Sequence, residues 1–447
     1  MRSSSRGAQD VPSRPPRLKG VVRRVDHVSG GAPDPMRLRS DRVSPLGTTI
    51  FSTFSALAQQ HGAVNLGQGF PDFGGPSEVR EAAIAALRGG FDQYAPSPGS
   101  LRLRRALAAH AQHHFGHEVD PELGVTVTSG ATEALFAAIL GLVDPGEEVI
   151  LFEPAYDSYA ASVHMAGAIA RYVRLHPPDP EHATWWFEPA ELRAAFGPKT
   201  RLMLLNTPHN PTGKVFTREE LELLGELCRA HDVALLSDEV YEHLTFAPAA
   251  HVRPATLPDL ADRTVTVGSA GKTLSFTGWK VGWILAPPAL RDAVQRAHQF
   301  ITFCTAAPLQ EAVAVGLELP DAWFEGFRRD YLARRTRLLG GLVRAELPAF
   351  IPEGSYFALA DLRPLGVRDD VAFCRWLTRE VGVAAIPVSP FYDPAGPPPP
   401  PMARFAFCKT DTVIDAAVAR LMENLKGRPL PEEARGAPGR GRPSRRR

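Results

Sequence analysis

Lys272 lies in the run Ser269-Ala270-Gly271-Lys272-Thr273-Leu274-Ser275-Phe276-Thr277-Gly278-Trp279-Lys280. Small residues before it and a second lysine, Lys280, after it suit an amine that must meet an aldehyde beside a phosphate. A lysine in apolar or cationic surroundings loses its proton more readily and can form a Schiff base. Asp238, in Ser237-Asp238-Glu239-Val240-Tyr241, ends an apolar run, where a carboxylate is costly unless hydrogen-bonded or ion-paired. A pyridinium nitrogen would satisfy it, and a protonated ring is an electron sink. Tyr241 and the Asn210 amide have the chemistry to donate to a phenolate oxygen. Tyr156, in Phe152-Glu153-Pro154-Ala155-Tyr156-Asp157, can stack on a ring.

A phosphate needs its own cradle. The apolar run Val125–Thr128 leads into Ser129-Gly130-Ala131-Thr132 and then a helical pattern. Small residues there let backbone N–H groups approach an anion at the positive end of a helix. The P-loop pattern is absent, and Gly67-Gln68-Gly69 lacks the third glycine of a dinucleotide fingerprint. Each position has a plain alternative: a strand–turn–helix junction at Gly130, a cap or salt bridge at Asp238, a packing aromatic at Tyr156. Their order along one chain, each at a strand end, is what a pyridoxal 5'-phosphate site requires.

The elements that must position these residues alternate between strand and helix. Strand patterns fall at Val125–Thr128, Glu148–Phe152, Ile169–Leu175, Arg201–Asn206, Val233–Ser237, Thr264–Gly268 and Val281–Ala286. Helical spacing falls at Ala131–Val143, Ser158–Ala166, Pro189–Phe196 and Arg218–His231. Short apolar runs bounded by Gly and Pro and separated by helices predict an α/β fold with a mostly parallel sheet buried on both faces. Ligands of such sheets bind at the carboxyl ends of the strands. Beyond about residue 315 the pattern becomes α+β. A helix over Asp321–Ala345 precedes short strands near Phe350 and at Tyr356–Asp361. Helix Asp370–Glu380, strands Val383–Ile386 and Arg404–Phe407, and helix Thr412–Leu425 follow. Five consecutive prolines within Ala395–Pro401 predict an extended loop.

Composition narrows the class. The chain has 447 residues, 44% of them hydrophobic, and a formal net charge of +1 from 50 basic and 49 acidic residues. That balance gives no field for nucleic acid or an anionic membrane. No apolar run approaches the roughly 20 residues that span a bilayer. Cys228, Cys304, Cys374 and Cys408 show no CxxC spacing, which fits a reduced, cytoplasmic setting. Residues 1–42 and 427–447 are rich in Arg, Pro and Gly and predict disordered extensions. The first has no apolar h-region of a secretory signal. A translation start at Met36 is expected there, which mass spectrometry of the native N-terminus would test.

Three motifs make a family resemblance specific. Asn206-Thr207-Pro208-His209-Asn210-Pro211-Thr212-Gly213, Asp238-Glu239-Val240-Tyr241 and Ser269-Ala270-Gly271-Lys272 resemble class I/II aminotransferases of the fold-type I pyridoxal-phosphate enzymes. Leu66-Gly67-Gln68-Gly69-Phe70-Pro71-Asp72-Phe73 and Gly278-Trp279-Lys280-Val281-Gly282-Trp283 are similar to the kynurenine/glutamine and methionine aminotransferase branch. The resemblance runs from about Leu46 through Leu425. It implies a large domain over 76–315 built on a mostly parallel seven-stranded sheet. An N-terminal arm, 43–75, joins a smaller α+β domain over 316–426.

The same resemblance implies roles. Lys272 would be the Schiff-base lysine and proton shuttle, and Asp238 the partner of the ring nitrogen. Tyr241 and Asn210 would contact the phenolate oxygen and Tyr156 would stack. Ala131, Thr132, Ser269 and Lys280 would hold the phosphate, with Tyr94 reaching it from the neighbouring subunit of a homodimer. Arg404 would grip the substrate α-carboxylate, beside the Gly69 backbone and Asn210; a planar guanidinium suits that pairing. Thr132 stands where relatives often carry a tyrosine. The implied reaction is a ping-pong exchange between an L-amino acid and a 2-oxo acid.

Acidic-substrate relatives place a second arginine over the side-chain pocket. The stretch Phe300-Ile301-Thr302-Phe303-Cys304-Thr305 has none, and Phe51, Phe303 and Phe391 could line a pocket for methionine, glutamine, aromatic or kynurenine-like side chains. Core packing is the plain alternative for each. A cysteine-S-conjugate β-lyase uses the same machinery, and a non-catalytic regulator would need a winged helix that the N-terminal segment is too short to form. His110, His113, His114 and His117 share one helix face, but the nearest carboxylate, Glu118, follows Gly116, which weakens the helix, and no cysteine is close, so the spacing predicts a solvated face and no metal.

Overall fold

The computed structural model describes residues 39–40 and 42–436. The chain divides into Met1–Ser40 and Asp41–Arg447, and the second unit is described here. The expected start at Met36 and the extension before Arg39 lie outside the described residues. Among the described residues no helix is long and apolar enough to cross a membrane.

Among the described residues twelve strands follow in chain order: β1 (Val64–Asn65), β2 (Val125–Thr128), β3 (Glu148–Glu153), β4 (Ile169–Arg174), β5 (Thr200–Asn206) and β6 (Ala234–Asp238), then β7 (Thr264–Ser269), β8 (Gly282–Leu285), β9 (Phe357–Asp361), β10 (Val383–Ala384), β11 (Ile386–Pro387) and β12 (Met402–Ala406). Seven of them form one sheet in the order β2-β8-β7-β6-β5-β3-β4. Only β8 runs antiparallel to its neighbours. The carboxyl ends of β2, β3, β5, β6 and β7 therefore share one edge. Helices on both faces explain the near-continuous apolar character of the strands: every residue of β2, β3, β7 and β8 is buried. The rim strand β4 instead alternates exposed and half-buried positions until Val173, which is buried.

One face packs the helices Ala131–Leu142, Asp157–Met165 and Pro288–Ile301 around Leu151, Leu204, Leu236 and Val267. A second cluster joins Leu107, Trp283, Leu274 and Val313. The largest cluster runs from Ile150 and Leu205 into Phe357, Phe405 and Leu421, so the antiparallel sheet β11-β12-β9 shares apolar packing with the seven-stranded one. Burying one such side chain contributes about 1.5–3 kcal/mol. This shared core holds the two sheets' facing edges close enough to bound one cavity.

Four expectations are corrected. The strand expected over Val383–Ile386 breaks at Ala385, because β10 pairs with β1 in parallel while β11 pairs with β12 in another sheet. The helix expected over Asp370–Glu380 is α-helical to Trp376 and then widens into a π turn, Leu377–Val381. Residues 427–436 are not a loose tail: Leu430 and Ala434 are buried, and the Arg368 guanidinium donates to the Gly436 carbonyl. The histidine face also differs from expectation. His110 and His117 are buried, and His110 Nε2 is hydrogen-bonded to His243 Nε2 at 2.8 Å. Burial pushes the His110 imidazole down to about 3, so it is neutral.

Candidate active site

The shared edge opens onto a cavity of about 250 Å³. β6 delivers Asp238 to its floor. β7 ends at Ser269, whose Oγ accepts from the Gly271 N–H and starts the one-turn helix Ala270–Thr273 that raises Lys272. β2 runs through Gly130, with φ 82°, into the N-terminus of helix Ala131–Leu142. A side chain at Gly130 would lie 3.1 Å from Lys280 Nζ, so only glycine leaves that space open. The left-handed backbone at Lys280, φ 53°, turns its side chain back over this junction.

Among the sequence-derived residues, Gly69, Ala131, Thr132, Tyr156, Asn210, Asp238, Tyr241, Ser269, Lys272, Lys280, Arg404 and Phe51 all line the cavity. Tyr94 does not: it is 84% exposed and meets Phe303 edge-on at 5.5 Å. Phe303 is also exposed, so it does not form its own chain's pocket wall. Phe391 stands behind Phe51, ring centres 5.7 Å apart.

Lys272 is half-buried, and desolvation pushes its amine down to about 8. Its Nζ donates to Tyr356 Oη at 2.7 Å and to the Gly69 carbonyl at 3.0 Å, and Tyr356 Oη in turn donates to that carbonyl at 2.6 Å. In a neutral amine both N–H groups are then engaged and the lone pair is left free. Burial pushes the Asp238 carboxyl up to about 6, against the Tyr159 hydroxyl, which donates to Oδ2 at 2.6 Å, and the Val240 N–H. Asn206 braces this floor. Its Nδ2 donates to the Asp238 carbonyl at 2.9 Å, and its Oδ1 accepts from the Asn210 N–H at 2.7 Å.

Arg404 enters from the middle of β12. It is 1% exposed, and burial lowers its pKa to about 10. Nη1 donates to Asn210 Oδ1 at 2.7 Å and Nη2 to the Gly67 carbonyl at 2.9 Å, while Nε has no partner. The Phe357 ring lies 4.0 Å from the guanidinium carbon and the Phe51 ring 4.9 Å. A buried cation held by neutral acceptors, with a donor to spare, is a receptor for a carboxylate. The helix that carries Phe51 is pinned by Gln68, whose Nε2 donates to the Phe51 carbonyl at 3.1 Å and to Ser55 Oγ.

Sequence reasoning did not single out Tyr356, Tyr159, Asn206 or Gln68. Tyr356 and Tyr159 sit in runs that read as core aromatic, and only the fold shows what their hydroxyls meet. Asn206 and Gln68 lie inside quoted motifs, where their polarity within an apolar strand end was the available signal.

The residues fit the cofactor that the sequence anticipated. Three basic side chains, Lys272, Lys280 and Arg404, line the cavity with one carboxylate, Asp238. That excess suits a phosphate and a substrate carboxylate together. The open space at Gly130 between a helix N-terminus and Lys280 suits the phosphate, and a buried Asp238 suits a protonated ring nitrogen.

Known proteins share this chain's sequence pattern and fold. The family model "Aminotransferase class I and II" matches residues 61–421. The chain is 46% identical over 387 residues to the probable N-succinyldiaminopimelate aminotransferase DapC of Mycobacterium tuberculosis, covering 85% of this chain and 97% of that one. It is 41% identical over 382 residues to the methionine aminotransferase of Escherichia coli, covering 86% and 97%. The solved structure of the Mycobacterium tuberculosis N-succinyldiaminopimelate aminotransferase superposes with a TM-score of 0.83 at 46% identity, over 86% of this chain and 99% of that one.

Proposed function

The chain belongs to the class I and II aminotransferases, and on that premise we propose that pyridoxal 5'-phosphate is its cofactor and that the cavity beneath Lys272 is where it works. The enzyme transfers an amino group from an amino acid to a 2-oxo acid, with fold type I architecture. The observation that carries the cofactor reading is the meeting of Lys272 Nζ, Asp238 and Arg404 in one buried, cationic cavity. Bound there, the cofactor would supply an aldehyde carbon and a protonated ring able to store the electron pair released at the substrate α-carbon.

The chain's own residues divide the remaining work. Backbone N–H groups at Ala131 and Thr132, the Ser269 hydroxyl and Lys280 hold the phosphate. Asp238 retains the ring-nitrogen proton, and Tyr159 and Asn206 hold Asp238. Tyr241 and Asn210 serve the phenolate oxygen, and Tyr156 stacks. Arg404 binds the substrate α-carboxylate beside Gly69. Lys272, once free, takes the α-proton on its lone pair and returns it, with Tyr356 and the Gly69 carbonyl fixing the amine. Donor and acceptor use this one site in turn, which gives ping-pong kinetics.

Exposed Tyr94 and Phe303 support a homodimer in which a second copy covers them and lends Tyr94 to its neighbour's phosphate. In the same reading 76–315 is the cofactor domain, and 43–75 with 316–426 the smaller one. The setting is cytoplasmic, in keeping with four free cysteines.

Relatives carry names for methionine, kynurenine and N-succinyldiaminopimelate. Phe51 and Phe391, and a 300–305 stretch without arginine, favour long or aromatic donor side chains over short dicarboxylates. A donor panel of methionine, glutamine, phenylalanine, kynurenine, N-succinyldiaminopimelate and aspartate, each with 2-oxo-acid acceptors, tests this. Highest kcat/KM for a donor other than aspartate is expected; preference for aspartate refutes the substrate reading.

A further inference from the structure

The fold brings to the histidine-rich helix a carboxylate from far along the chain, Asp321. Helix Leu101–Phe115 ends in His113-His114-Phe115, and helix Asp321–Arg344 begins beside it. His113 Nε2 lies 2.8 Å from Asp321 Oδ1, and His114 Nε2 lies 4.0 Å from the same oxygen. The ligand atoms of these three residues all fall within 4.8 Å of one another. Tetrahedral ligands at zinc distances of ~2.0–2.2 Å sit roughly 3.3 Å apart. The two measured separations bracket that value.

The three side chains differ in freedom, and usefully so. The His114 side chain is 16% exposed and is packed against His110, Phe324 and His243, ring centres 4.4, 4.8 and 5.0 Å away. It is a pre-oriented ligand. His113 and Asp321 are 61% and 59% exposed, so each can shift by a few tenths of an ångström to close on an ion. All three line a surface cavity of about 440 Å³, which leaves room for water in a fourth position. His110 backs the site without joining it, since its ring nitrogens are engaged by His243 and the Leu317 carbonyl. The neighbouring group His110, Glu242 and His243 is equally compact, but Glu242 is ion-paired with Arg253 deep in the protein, and a cation would have to break that pair.

Two borderline imidazole nitrogens with one harder carboxylate oxygen make a donor set that suits zinc and its neighbours in the transition series. We propose that His113, His114 and Asp321 bind a divalent cation of the zinc class, which fastens the start of helix Asp321–Arg344 to the end of helix Leu101–Phe115. The consequence is structural. Helix Asp321–Arg344 carries Tyr331, which stacks on Tyr356 at 6.0 Å, so the cation steadies an element that backs the catalytic cavity.

The holoenzyme, stripped with a chelator and exchanged into phosphate-free buffer, is titrated with Zn²⁺ by calorimetry, and with Co²⁺ while its visible absorption is followed. One saturable cation per chain is expected, with a rise in Tm at saturation. Asp321→Asn and His113→Gln should each weaken half-saturation at least tenfold. Both variants should keep the metal-free Tm to within a few degrees and the transaminase activity unchanged. Absence of saturable binding overturns the proposal, as does binding of unchanged strength in both variants, which would place the cation elsewhere.

Discussion

Replacing Arg404 by lysine keeps the charge in place and removes the fork. The guanidinium has five N–H donors, of which one serves Asn210 and one the Gly67 carbonyl, leaving Nε and others for a ligand. A lysine ammonium reaches from a single atom and cannot bond both acceptors and a bidentate carboxylate at once. One lost charge-assisted hydrogen bond costs about 1.5–3 kcal/mol, and an acceptor left unpaired in a buried site adds about 1–3 kcal/mol. Because Arg404 is 1% exposed, solvent does little to soften either cost. A combined loss of about 2.5–6 kcal/mol corresponds to roughly 70- to 25,000-fold in kcat/KM. Most of it should fall on KM, since the α-carboxylate is held alike in the ground and transition states. The assay is steady-state transamination of Arg404→Lys at saturating acceptor, with the cofactor's visible spectrum as control. A loss below tenfold, or loss of cofactor with KM unchanged, would refute the assignment of Arg404 to the substrate.

Tyr356→Phe removes one acceptor from Lys272 Nζ and one donor from the Gly69 carbonyl, at about 1–2 kcal/mol, so kcat should fall roughly 5- to 30-fold with KM little changed. An unchanged kcat would show that the hydroxyl does not position the amine. The depressed Lys272 amine makes a pH prediction for loading the cofactor-free protein. Below about 8 the neutral, reactive fraction rises tenfold per pH unit, and above it the rate levels off, because the amine has already lost its proton. Stopped-flow absorbance gives that profile, and a rate still climbing beyond pH 10, as for an ordinary lysine, contradicts it.

The strand ends were legible in the sequence because each strand is a short apolar run closed by a polar or small residue. That pattern located Lys272, Asp238 and Asn210, and the family resemblance added Arg404; the fold brings all four into one cavity. Contacts between residues far apart along the chain were not legible. The partnership of Tyr356 with Gly69 joins residues from opposite ends of the chain, and neither neighbourhood distinguishes a hydroxyl that bonds from a ring that packs. The same holds for Asp321 beside His113. Val383–Ile386 reads as one strand because β-propensity does not record that its two halves pair in different sheets. Leu430 and Ala434 are two apolar residues in a charged, proline-rich stretch, too sparse a pattern to predict docking.

The central claim is that the Lys272 amine carries the cofactor. Borohydride reduction of the holoenzyme, followed by proteolysis and peptide mass spectrometry, tests it most directly. A single pyridoxyl group on the Lys272 peptide, absent along with turnover in Lys272→Ala, is the predicted result. Label on another lysine, or transamination that survives Lys272→Ala, would contradict it.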